Sequence, residues 1–324
     1  MILRSLRLAA FALAPLCAMT AVHAQSNYPS RPITLVVPYG PGASADATAR
    51  MVGQKVAEDL GQPVVVDNRA GAAGMIGSAY ATGQAPDGYT ILLGTDGTHT
   101  GNPHVVKDHP FDAIKDSTPL TMAARNIIVL VAHPSVPANS MKELIEYGKK
   151  NPGKLAYGTS GNASPHHLSG ELLSNRAGIE MVHVPYKGGG PALNDVLGGQ
   201  IPLVFSSLVT ALPHIQAGKL KALGITEGAR FQGAPDIPTI AETLPGYEMT
   251  SWLAFFGPAG MPPEVVKTLN ASLVKALRSP DVQPRLEASG LLVVANSPEA
   301  FAADFKKDYD ARGELIRRAN ITAQ

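Results

Sequence analysis

The stretch ITLVVPYGPGASADATARMVGQKVAEDLGQPVVVD, residues 33–67, decides the fold class of this chain. Its first five residues are β-branched or aliphatic and predict a buried strand, which ends in a Pro-Gly loop over residues 38–43. Apolar residues then recur at helical spacing as far as Leu60, and Gly61 ends the predicted helix. A second β-branched run, residues 64–67, follows at once. This order of strand, loop, helix and strand predicts an α/β protein with a mainly parallel sheet.

The same pattern continues along the chain, without an internal repeat or a low-complexity segment. Further strands are predicted at Tyr89–Leu93, Ile127–Ala132, Leu155–Tyr157, Val182–Val184, Leu203–Phe205, Leu220–Ile225 and Ser251–Phe256. After the last of these runs only helices are predicted. Pro262 and Pro263 open one of them, and Ser297 with Pro298 opens a longer one.

The first residues have the composition of a secretory signal peptide. Arg4 and Arg7 precede an uncharged apolar run over residues 8–21, and small residues surround a cleavage point after Ala24. The apolar run is shorter than the roughly 20 residues of a membrane-spanning helix. An uncleaved anchor is the alternative, whereas a lipid anchor on Cys17 is disfavoured because the residue before it is large. We therefore expect this segment to be removed on export.

Composition excludes several classes of protein. Removal of the signal segment takes away two of the 27 basic residues, none of the 26 acidic residues and the single cysteine. A chain this close to neutral has no electrostatic footprint for nucleic acid or for an anionic membrane surface. Without cysteine it has neither a disulfide nor a thiolate metal site. Its stability must come from apolar burial, which a chain of this length usually divides between two cores.

Small, polar or glycine-rich loops follow several predicted strands and lead into the first turn of a helix. In open parallel sheets ligands bind at this carboxyl edge, where exposed amides and the positive ends of helix dipoles favour an anion. Lys187 is the only lysine or arginine in these loops, so a carboxylate held by amides and hydroxyls fits better than a phosphate. The candidate ligand-binding residues are Tyr39, Gly42, Ala43, Ser44, Thr95, Thr98, His99, Thr159, Gly161, Asn162, Ala163, Ser164, His167, Tyr186, Lys187, Gly188, Ser206 and Ser207.

Motifs for catalysis and for cofactors are incomplete. The run Gly158–Asn162 resembles a nucleophile elbow, but Asn162 replaces its final glycine. The glycines within residues 71–77 lack the spacing of a dinucleotide fingerprint, and no glycine-lysine pair of the phosphate-loop type exists. We therefore predict neither an enzyme nor a bound cofactor. The rival prediction from another class is a secreted hydrolase that uses Ser160 and His167.

Histidines and other polar residues near the loops have alternative interpretations. His99, His104 and His109 are separated by prolines and share no helix face, so no metal site is predicted. For several residues a structural role is the alternative to ligand contact. His166 and His167 would lie in a solvated first turn after the cap Ser164, and Asp46 would brace the loop and compensate the helix dipole. Gly188–Gly190 would form a tight turn, and Ser206 and Ser207 would cap helices.

Eight short stretches occur in an order that is typical of one family. They are Val37–Asp46, Asp67–Gly71, Pro86–Thr90, Tyr157–Gly161, His183–Gly188, Gly198–Gln200, Pro238–Glu242 and Gly257–Gly260. Together they resemble the Bug or TctC-type solute receptors of tripartite tricarboxylate transporters. The resemblance covers nearly the whole mature chain, and it is specific because the stretches occur jointly.

The resemblance implies the fold of a two-lobed periplasmic binding protein, a type II-like Venus flytrap in which each lobe is a mainly parallel sheet flanked by helices. The implied division is a signal peptide at 1–24, lobe 1 at 25–124 plus 249–324, and lobe 2 at 125–248, with hinges near 123–126 and 247–251.

The resemblance also implies a function. It is that of a periplasmic receptor that captures a small organic carboxylate, a di- or tricarboxylate or an aromatic acid, and delivers it to membrane permease subunits. Such a receptor works as a monomer, without a cofactor or nucleic acid. Family members are similar in gripping one ligand carboxylate with the loops that match Tyr39–Ser44, Thr159–Ser164 and Tyr186–Gly189. A ligand sensor that feeds a membrane histidine kinase would have the same sequence and stays an alternative.

Two positions depart from the family pattern. Ala43 stands where the family usually has a second glycine, which alters how closely the loop backbone can approach a ligand. Ser206 and Ser207 stand where many relatives carry an aspartate. We therefore expect an acidic or aromatic ligand rather than one with an amino group.

Overall fold

The computed structural model describes residues 28–41, 44–186, 189–319 and 321. The predicted signal peptide, residues 1–24, lies outside the described residues. Four candidate site residues also lie outside them: Gly42, Ala43, Lys187 and Gly188.

Eleven strands and ten α-helices lie within the described residues. The strands are β1 (Ile33–Val37), β2 (Val64–Asn68), β3 (Thr90–Thr95), β4 (Ser117–Asn126), β5 (Ile128–Ala132), β6 (Leu155–Thr159), β7 (Met181–Pro185), β8 (Leu203–Ser207), β9 (Lys221–Ile225), β10 (Ser251–Pro258) and β11 (Leu291–Val293). The helices are α1 (Ser44–Leu60), α2 (Met75–Thr82), α3 (Asn102–Val105), α4 (Met141–Lys150), α5 (Pro165–Ala177), α6 (Gly189–Leu197), α7 (Leu208–Gln216), α8 (Pro263–Leu277), α9 (Gln283–Ala288) and α10 (Pro298–Arg318).

The strands form two separate sheets. Sheet 1 has the order β11-β4-β10-β3-β1-β2, and sheet 2 has the order β7-β6-β8-β5-β9. Helices α1 and α8 pack on one face of sheet 1, and aromatic residues of β10 and α10 fill the other face. Sheet 2 lies between α4 with α5 on one face and α6 with α7 on the other. We call sheet 1 with its helices lobe 1, and sheet 2 with its helices lobe 2.

Both sheets are mixed rather than mainly parallel, which corrects the prediction. Strands β1, β2 and β3 are parallel, but β10 runs antiparallel to β3 and β4. Strands β6, β7 and β8 are likewise parallel, and β5 runs antiparallel to β8 and β9. The antiparallel strands β5 and β10 are those by which the chain enters one lobe from the other.

The direction of these two strands follows from where the chain crosses. Strand β10 begins with Ser251 opposite Asn126, the last residue of β4. Strand β5 begins with Ile128 opposite Ser207, the last residue of β8. Each entering strand therefore starts at the carboxyl edge of its sheet and must run against the parallel strands. As a result, the carboxyl edges of both sheets lie at the crossing between the lobes.

All nine predicted strands exist, but β4 and β11 were not predicted. Strand β4 has the sequence STPLTMAARN, in which proline, alanine and polar residues hide any β-branched run. Strand β11 has three residues and pairs only with β4. The prediction that only helices follow the Ser251 strand is wrong for this reason. The Pro263 and Pro298 helices were predicted correctly, and the side chain of Ser297 caps the second by accepting from the Ala300 N–H.

The lobes also touch through their helices. Leu315 and Ile316 of α10 share an apolar cluster with Leu168 of α5 and with Met249 of the crossing segment. Helix α10 therefore bridges lobe 1 and lobe 2. Within the described residues, no helix is long and apolar enough to span a membrane.

Candidate functional site

The loop after β1 is fixed to the ends of two neighbouring strands. The hydroxyl of Tyr39 is hydrogen-bonded to Oγ1 of Thr95 at 2.8 Å. The side-chain amide of Asn68, the last residue of β2, donates to the Tyr39 carbonyl at 3.0 Å and to Oδ1 of Asp46 at 2.9 Å. Burial raises the pKa of Tyr39 to about 12, so its hydroxyl stays protonated. These bonds hold the first loop at the carboxyl edge of sheet 1.

Asp46 braces the loop, which was one of the two roles predicted for it. Its carboxylate is almost fully buried and also forms an ion pair with Arg50 at 2.9 Å. The exposed residue Ser44 begins α1, two residues before Asp46. The first turn of this helix is therefore braced against the end of β2.

A π-helical turn, Gly97–Gly101, follows β3. Thr95 and Thr98 close it reciprocally, since each backbone N–H donates to the other residue's hydroxyl at 3.0 and 3.2 Å. Thr98 is buried in this arrangement and Thr95 keeps some exposed surface. The turn approaches lobe 2, because a Cβ added at Gly101 would lie 3.6 Å from the Ala163 carbonyl oxygen.

The geometry removes His99 from the candidate contacts. Its ring has no exposed surface and stacks on Phe256, with centroids 4.1 Å apart and planes at 5°. Nδ1 lies 2.7 Å from the Thr98 hydroxyl, and burial lowers the pKa of His99 to about 3. His99 is a neutral histidine within the aromatic core of lobe 1. The sequence could not show this, because a histidine in a strand-end loop has the same pattern whether it faces in or out.

The loop after β6, residues Thr159–Ser164, is the counterpart in lobe 2. Gly161 has φ of 129° and Ala163 has φ of 54°, so the backbone turns twice through the left-handed region. The hydroxyl of Ser164 donates to the Gly161 carbonyl at 2.7 Å and accepts from the His167 N–H at 3.2 Å. Ser164 therefore caps α5 as predicted. Asn162 lies between these turns and is half-buried.

Beneath this loop lies a network of buried and half-buried polar side chains. The rings of His167 and His183 are stacked, with centroids 3.7 Å apart and planes at 7°. Nδ1 of His167 accepts from the Ala163 N–H at 3.0 Å, and Nε2 of His183 is 2.7 Å from the Thr159 hydroxyl. Glu171 completes the network, because it lies 3.6 Å from Nε2 of His167 and accepts from the Tyr157 hydroxyl. His167 therefore supports the loop from below.

The other histidine at the start of α5, His166, has one ring nitrogen without a hydrogen-bond partner among the described residues. Its Nδ1 lies 2.8 Å from the hydroxyl of Ser160, and its buried Nε2 has no hydrogen-bond partner. Burial lowers the pKa of His166 to about 4. The predicted hydrolase pair of Ser160 with His167 does not form, because His167 has turned to Ala163 and Glu171.

The ends of β7 and β8 complete the edge of sheet 2. Tyr186 donates its hydroxyl to Asp195 of α6 at 2.6 Å, and its backbone N–H donates to the Thr159 carbonyl. Ser206 is buried and hydrogen-bonded to Thr210. Ser207 is half-exposed, and its side chain does not cap α7 although it stands at the N-cap position. Its hydroxyl is therefore left available at the edge.

The structure divides the described candidates into two groups. Those with exposed surface at the two edges are Tyr39, Ser44, Thr95, Gly161, Asn162, Ala163, Ser164, Tyr186 and Ser207. Those buried beneath them are Thr98, His99, Thr159, His167 and Ser206. The first group lines the two edges, and the second holds the first in place.

The site has the chemistry of an anion receptor. Helices α1, α5, α6 and α7 all begin at these loops, so the positive ends of four helix dipoles lie at the two edges. Among the described residues, no group of three or more His, Cys, Asp or Glu side chains could hold a metal ion. Neutral polar side chains from both lobes therefore line the two carboxyl edges.

Sequence reasoning missed the supporting residues. Asn68, His183 and Glu171 were not among the predicted site residues, although the i,i+4 spacing of His167 and Glu171 on one helix face was a usable signal. Tyr157 pairs with His183 across the parallel β6–β7 ladder. That pairing brings the residues together, but it requires knowledge of the strand register.

Comparisons with known proteins agree with this geometry. The family model described as "Tripartite tricarboxylate transporter family receptor", TctC, matches residues 48–321. A relative from Pseudomonas sp. strain P51, the UPF0065 protein in the tcbD-tcbE intergenic region, is 38% identical, covering 98% of this chain and 94% of the relative.

Solved structures resemble the whole fold. A structure described as a periplasmic transporter is 42% identical with a TM-score of 0.76, covering 91% of this chain and 99% of the other. Rpa4515 of R. palustris, solved with adipate, is 34% identical with a TM-score of 0.77 over the same shares. MatC of Rhodopseudomonas palustris, solved with malate, is 30% identical with a TM-score of 0.73, covering 89% of this chain and 100% of the other.

These findings define a two-lobed α/β solute-binding protein. The chain belongs to the tripartite tricarboxylate transporter receptor family, the TctC family. The resemblance to Bug and TctC-type receptors and the two-lobed fold are thereby confirmed. The prediction that the chain is not an enzyme is supported at the level of the family, whose matched structures are binding proteins.

Proposed function

We propose that this protein captures a small organic carboxylate between its two lobes in the periplasm and delivers it to membrane permease subunits. The observation that carries the proposal is the pair of carboxyl edges, each lined with hydroxyls and helix N-termini, that meet where the chain crosses between the lobes. Such donors favour a negatively charged group without needing a lysine or an arginine.

The ligand class is a di- or tricarboxylate or an aromatic acid. Two relatives were solved with adipate and malate, which are dicarboxylates. A hydrogen bond to a charged group contributes about 1.5 to 3 kcal/mol. Four or five of them, less the cost of ordering, reach the roughly 8 kcal/mol of a micromolar complex. Binding therefore needs no chemistry on the ligand.

The proposed contacts are the exposed candidates of both edges together with Gly42, Ala43, Lys187 and Gly188. We place lobe 1 at 25–124 plus 249–324 and lobe 2 at 125–248. In support, β4 ends at Asn126 and β5 begins at Ile128, so the chain changes sheet within two residues. The hydrogen bonds between Thr226 and Met249 hold the second crossing beside the first. Closure about these two segments encloses the ligand. The receptor is a monomer in the periplasm, which it reaches by export and cleavage after Ala24.

Calorimetry on ligand-stripped protein tests the proposal. Adipate, malate, citrate and benzoate are titrated at pH 7.5, and at least one acid is expected to bind with micromolar or better affinity. Adipamide, which has the length of adipate but no charge, is the matched control and should not bind. The proposal is wrong if folded protein gives no heat with any acid, or if it binds adipamide as well as adipate.

A further inference from the structure

His166 is a residue at the carboxyl edge of sheet 2 that carries an unpaired polar atom. The residue is 8% exposed, and Nδ1 of its ring lies 2.8 Å from the Ser160 hydroxyl. Its buried Nε2 has no hydrogen-bond partner among the described residues. Both ring nitrogens of the neighbouring His167, by contrast, face partners, which are Ala163 and Glu171. A buried polar atom without a partner lowers the stability of the fold, which makes Nε2 of His166 a candidate binding atom.

The ring of His166 lies between the segments of lobe 2 that begin α5 and α6. It follows Pro165 in the first turn of α5. A Cβ added at Gly189, the first residue of α6, would lie 3.9 Å from its Cε1 atom. The loop before α5 meets the end of β7 at Gly161, where an added Cβ would lie 3.4 Å from the Tyr186 carbonyl oxygen. The edge of the ring therefore faces the start of α6 at a residue that has no side chain.

The bond to Ser160 decides which atom of the ring can donate. Burial lowers the pKa of His166 to about 4, so the ring is neutral at pH 7.5 and carries one proton. When the Ser160 hydroxyl donates to Nδ1, that proton lies on Nε2. A carboxylate can only accept, so an anion at the start of α6 selects this tautomer. Nε2 is then a neutral donor at the edge of lobe 2.

The same geometry does not form a catalytic pair. In a Ser-His-Asp triad the serine bonds Nε2 of the histidine, and a carboxylate orients the ring at Nδ1. Here Ser160 bonds Nδ1, and no carboxylate of the described residues bonds Nε2 of His166. The ring lacks the group that would orient it as a base, so hydrogen bonding is the chemistry that it can supply.

We propose that His166 is a ligand-contact residue of lobe 2, whose Nε2–H donates to a carboxylate oxygen of the bound acid. This inference rests on the proposed function, because it assigns a further donor to the same site. It makes His166, rather than the predicted His167, the histidine that meets the ligand. One hydrogen bond to a charged group corresponds to a change of about ten- to hundredfold in affinity.

Two amide variants separate ligand contact from a merely structural role. The amide of His166→Gln reaches the position of Nε2, whereas the amide of His166→Asn reaches only the position of Nδ1 and can keep the bond to Ser160. Affinity at pH 7.5 is measured by calorimetry with the tightest binder among adipate, malate, citrate and benzoate. His166→Asn and His166→Phe should bind about ten- to hundredfold more weakly than wild type, and His166→Gln should lose less than about fivefold.

His133→Gln is the matched control, because His133 bonds Ser135 beyond the far end of β5. It should bind the acid as wild type does. If His166→Phe does not fold, the two amide variants decide the question. Affinity retained in His166→Asn would overturn the inference, since that variant keeps the structural bond and lacks the donor at Nε2.

Proton–nitrogen correlation spectra of the histidine rings give a second readout, which a structural role would not produce. In the complex with the acid, Nε2 of His166 should carry the proton and Nδ1 should not, and His166→Phe identifies the resonances by their loss. An unprotonated Nε2 in the complex would overturn the inference even if the variants bind weakly. If folded wild type binds none of the four acids, the proposed function is contradicted, and this inference with it.

Discussion

Asn68 shows how a single side chain can order a ligand loop. It lies at the end of β2, yet its amide holds the Tyr39 carbonyl of the next loop and the buried carboxylate of Asp46 at the start of α1. Its own Oδ1 accepts from Arg50 at 3.0 Å. One amide therefore connects a strand, a loop and a helix at the edge of lobe 1.

We expect Asn68→Ala to destabilise the protein by about 1 to 3 kcal/mol, since it leaves buried acceptors without their donor. Carboxylate affinity should fall at the same time, because the Tyr39 loop loses its anchor. Urea unfolding and calorimetry measure the two effects. Asn151→Ala, which removes an amide that donates to the Tyr147 carbonyl beyond the end of α4, is the control and should leave affinity unchanged. Unaltered affinity in Asn68→Ala would show that this anchor is dispensable.

His99 predicts a specific dependence of stability on pH. Its pKa in the fold is lowered to about 3 by burial, whereas the unfolded residue titrates near its ordinary value of about 6.5. The unfolded state therefore takes up the proton first, and the contribution of His99 to stability is full above pH 6.5 and declines as pH falls toward 3. His99→Phe should remove this decline.

Relative to His99→Phe, wild type should lose about 2 kcal/mol of unfolding free energy between pH 6.5 and pH 5, at about 1.4 kcal/mol per pH unit. Urea unfolding at several pH values measures the difference. Between pH 7.5 and 8.5 the ring titrates in neither the folded nor the unfolded state, so the difference in unfolding free energy between the two proteins should be constant. A constant difference throughout the acid range would contradict the burial of a neutral His99.

At the scale of elements, α10 is joined to the carboxyl edge of sheet 1 by a buried charge cluster. Arg312 is fully buried and pairs with Asp308 at 2.9 Å and with Asp96 at 3.1 Å. Asp308 also accepts from the Trp252 ring N–H, and Arg312 donates to the Thr250 carbonyl. Burial raises the pKa of Asp96 to about 6, against the opposing effect of Arg312. The cluster therefore links the ligand turn after β3, the crossing segment and α10.

Replacing Arg312 with methionine should cost about 3 to 5 kcal/mol of unfolding free energy, because it leaves the buried carboxylate of Asp96 and the partly buried one of Asp308 without their cation. Arg318→Met is the matched control on the same helix. Arg318 pairs with Glu314 at the surface, where such pairs contribute about 0 to 1 kcal/mol. Urea unfolding compares both with wild type. Similar small losses in the two variants would mean that the buried cluster does not stabilise α10.

The elements also show how far sequence reasoning reaches. The β1–α1–β2 unit was predicted almost to the residue, because its apolar periodicity and its flanking Pro and Gly agree. Strand β4 could not be predicted, since its pairing with β10 and β11 rather than its composition makes it a strand. The same limit applies to the site. Loops at strand ends were found by their polarity, but which side chains face inward, as His99 does, depends on packing that one sequence does not encode locally.

At the scale of the whole molecule, the two crossings are the segments about which the proposed closure would occur. They lie side by side, and Trp252, the single tryptophan, stands two residues past Thr250 on β10 with its ring N–H bound to Asp308 of α10. This ring therefore lies next to the segment about which one lobe would rotate against the other on the proposed function.

Adipate or another bound acid should therefore change the intrinsic fluorescence of Trp252 and reduce the radius of gyration measured by small-angle scattering. Both signals should saturate at the same ligand concentration as calorimetry. Trp252→Phe should abolish the fluorescence change and keep the change in scattering. An acid that binds by calorimetry while scattering stays constant would show that closure does not accompany binding.

The contact of α10 with both lobes has a further consequence. Leu315 and Ile316 lie far along the chain from the loops that meet the ligand, yet they pack on α5, whose first turn forms part of those loops. Substitutions of these two residues would change the separation of the lobes in the ligand-free receptor without altering any hydrogen-bond donor of the site. Two receptors with identical ligand-facing residues could thus differ in affinity through their last helix alone, which gives evolution a way to tune sensitivity separately from selectivity.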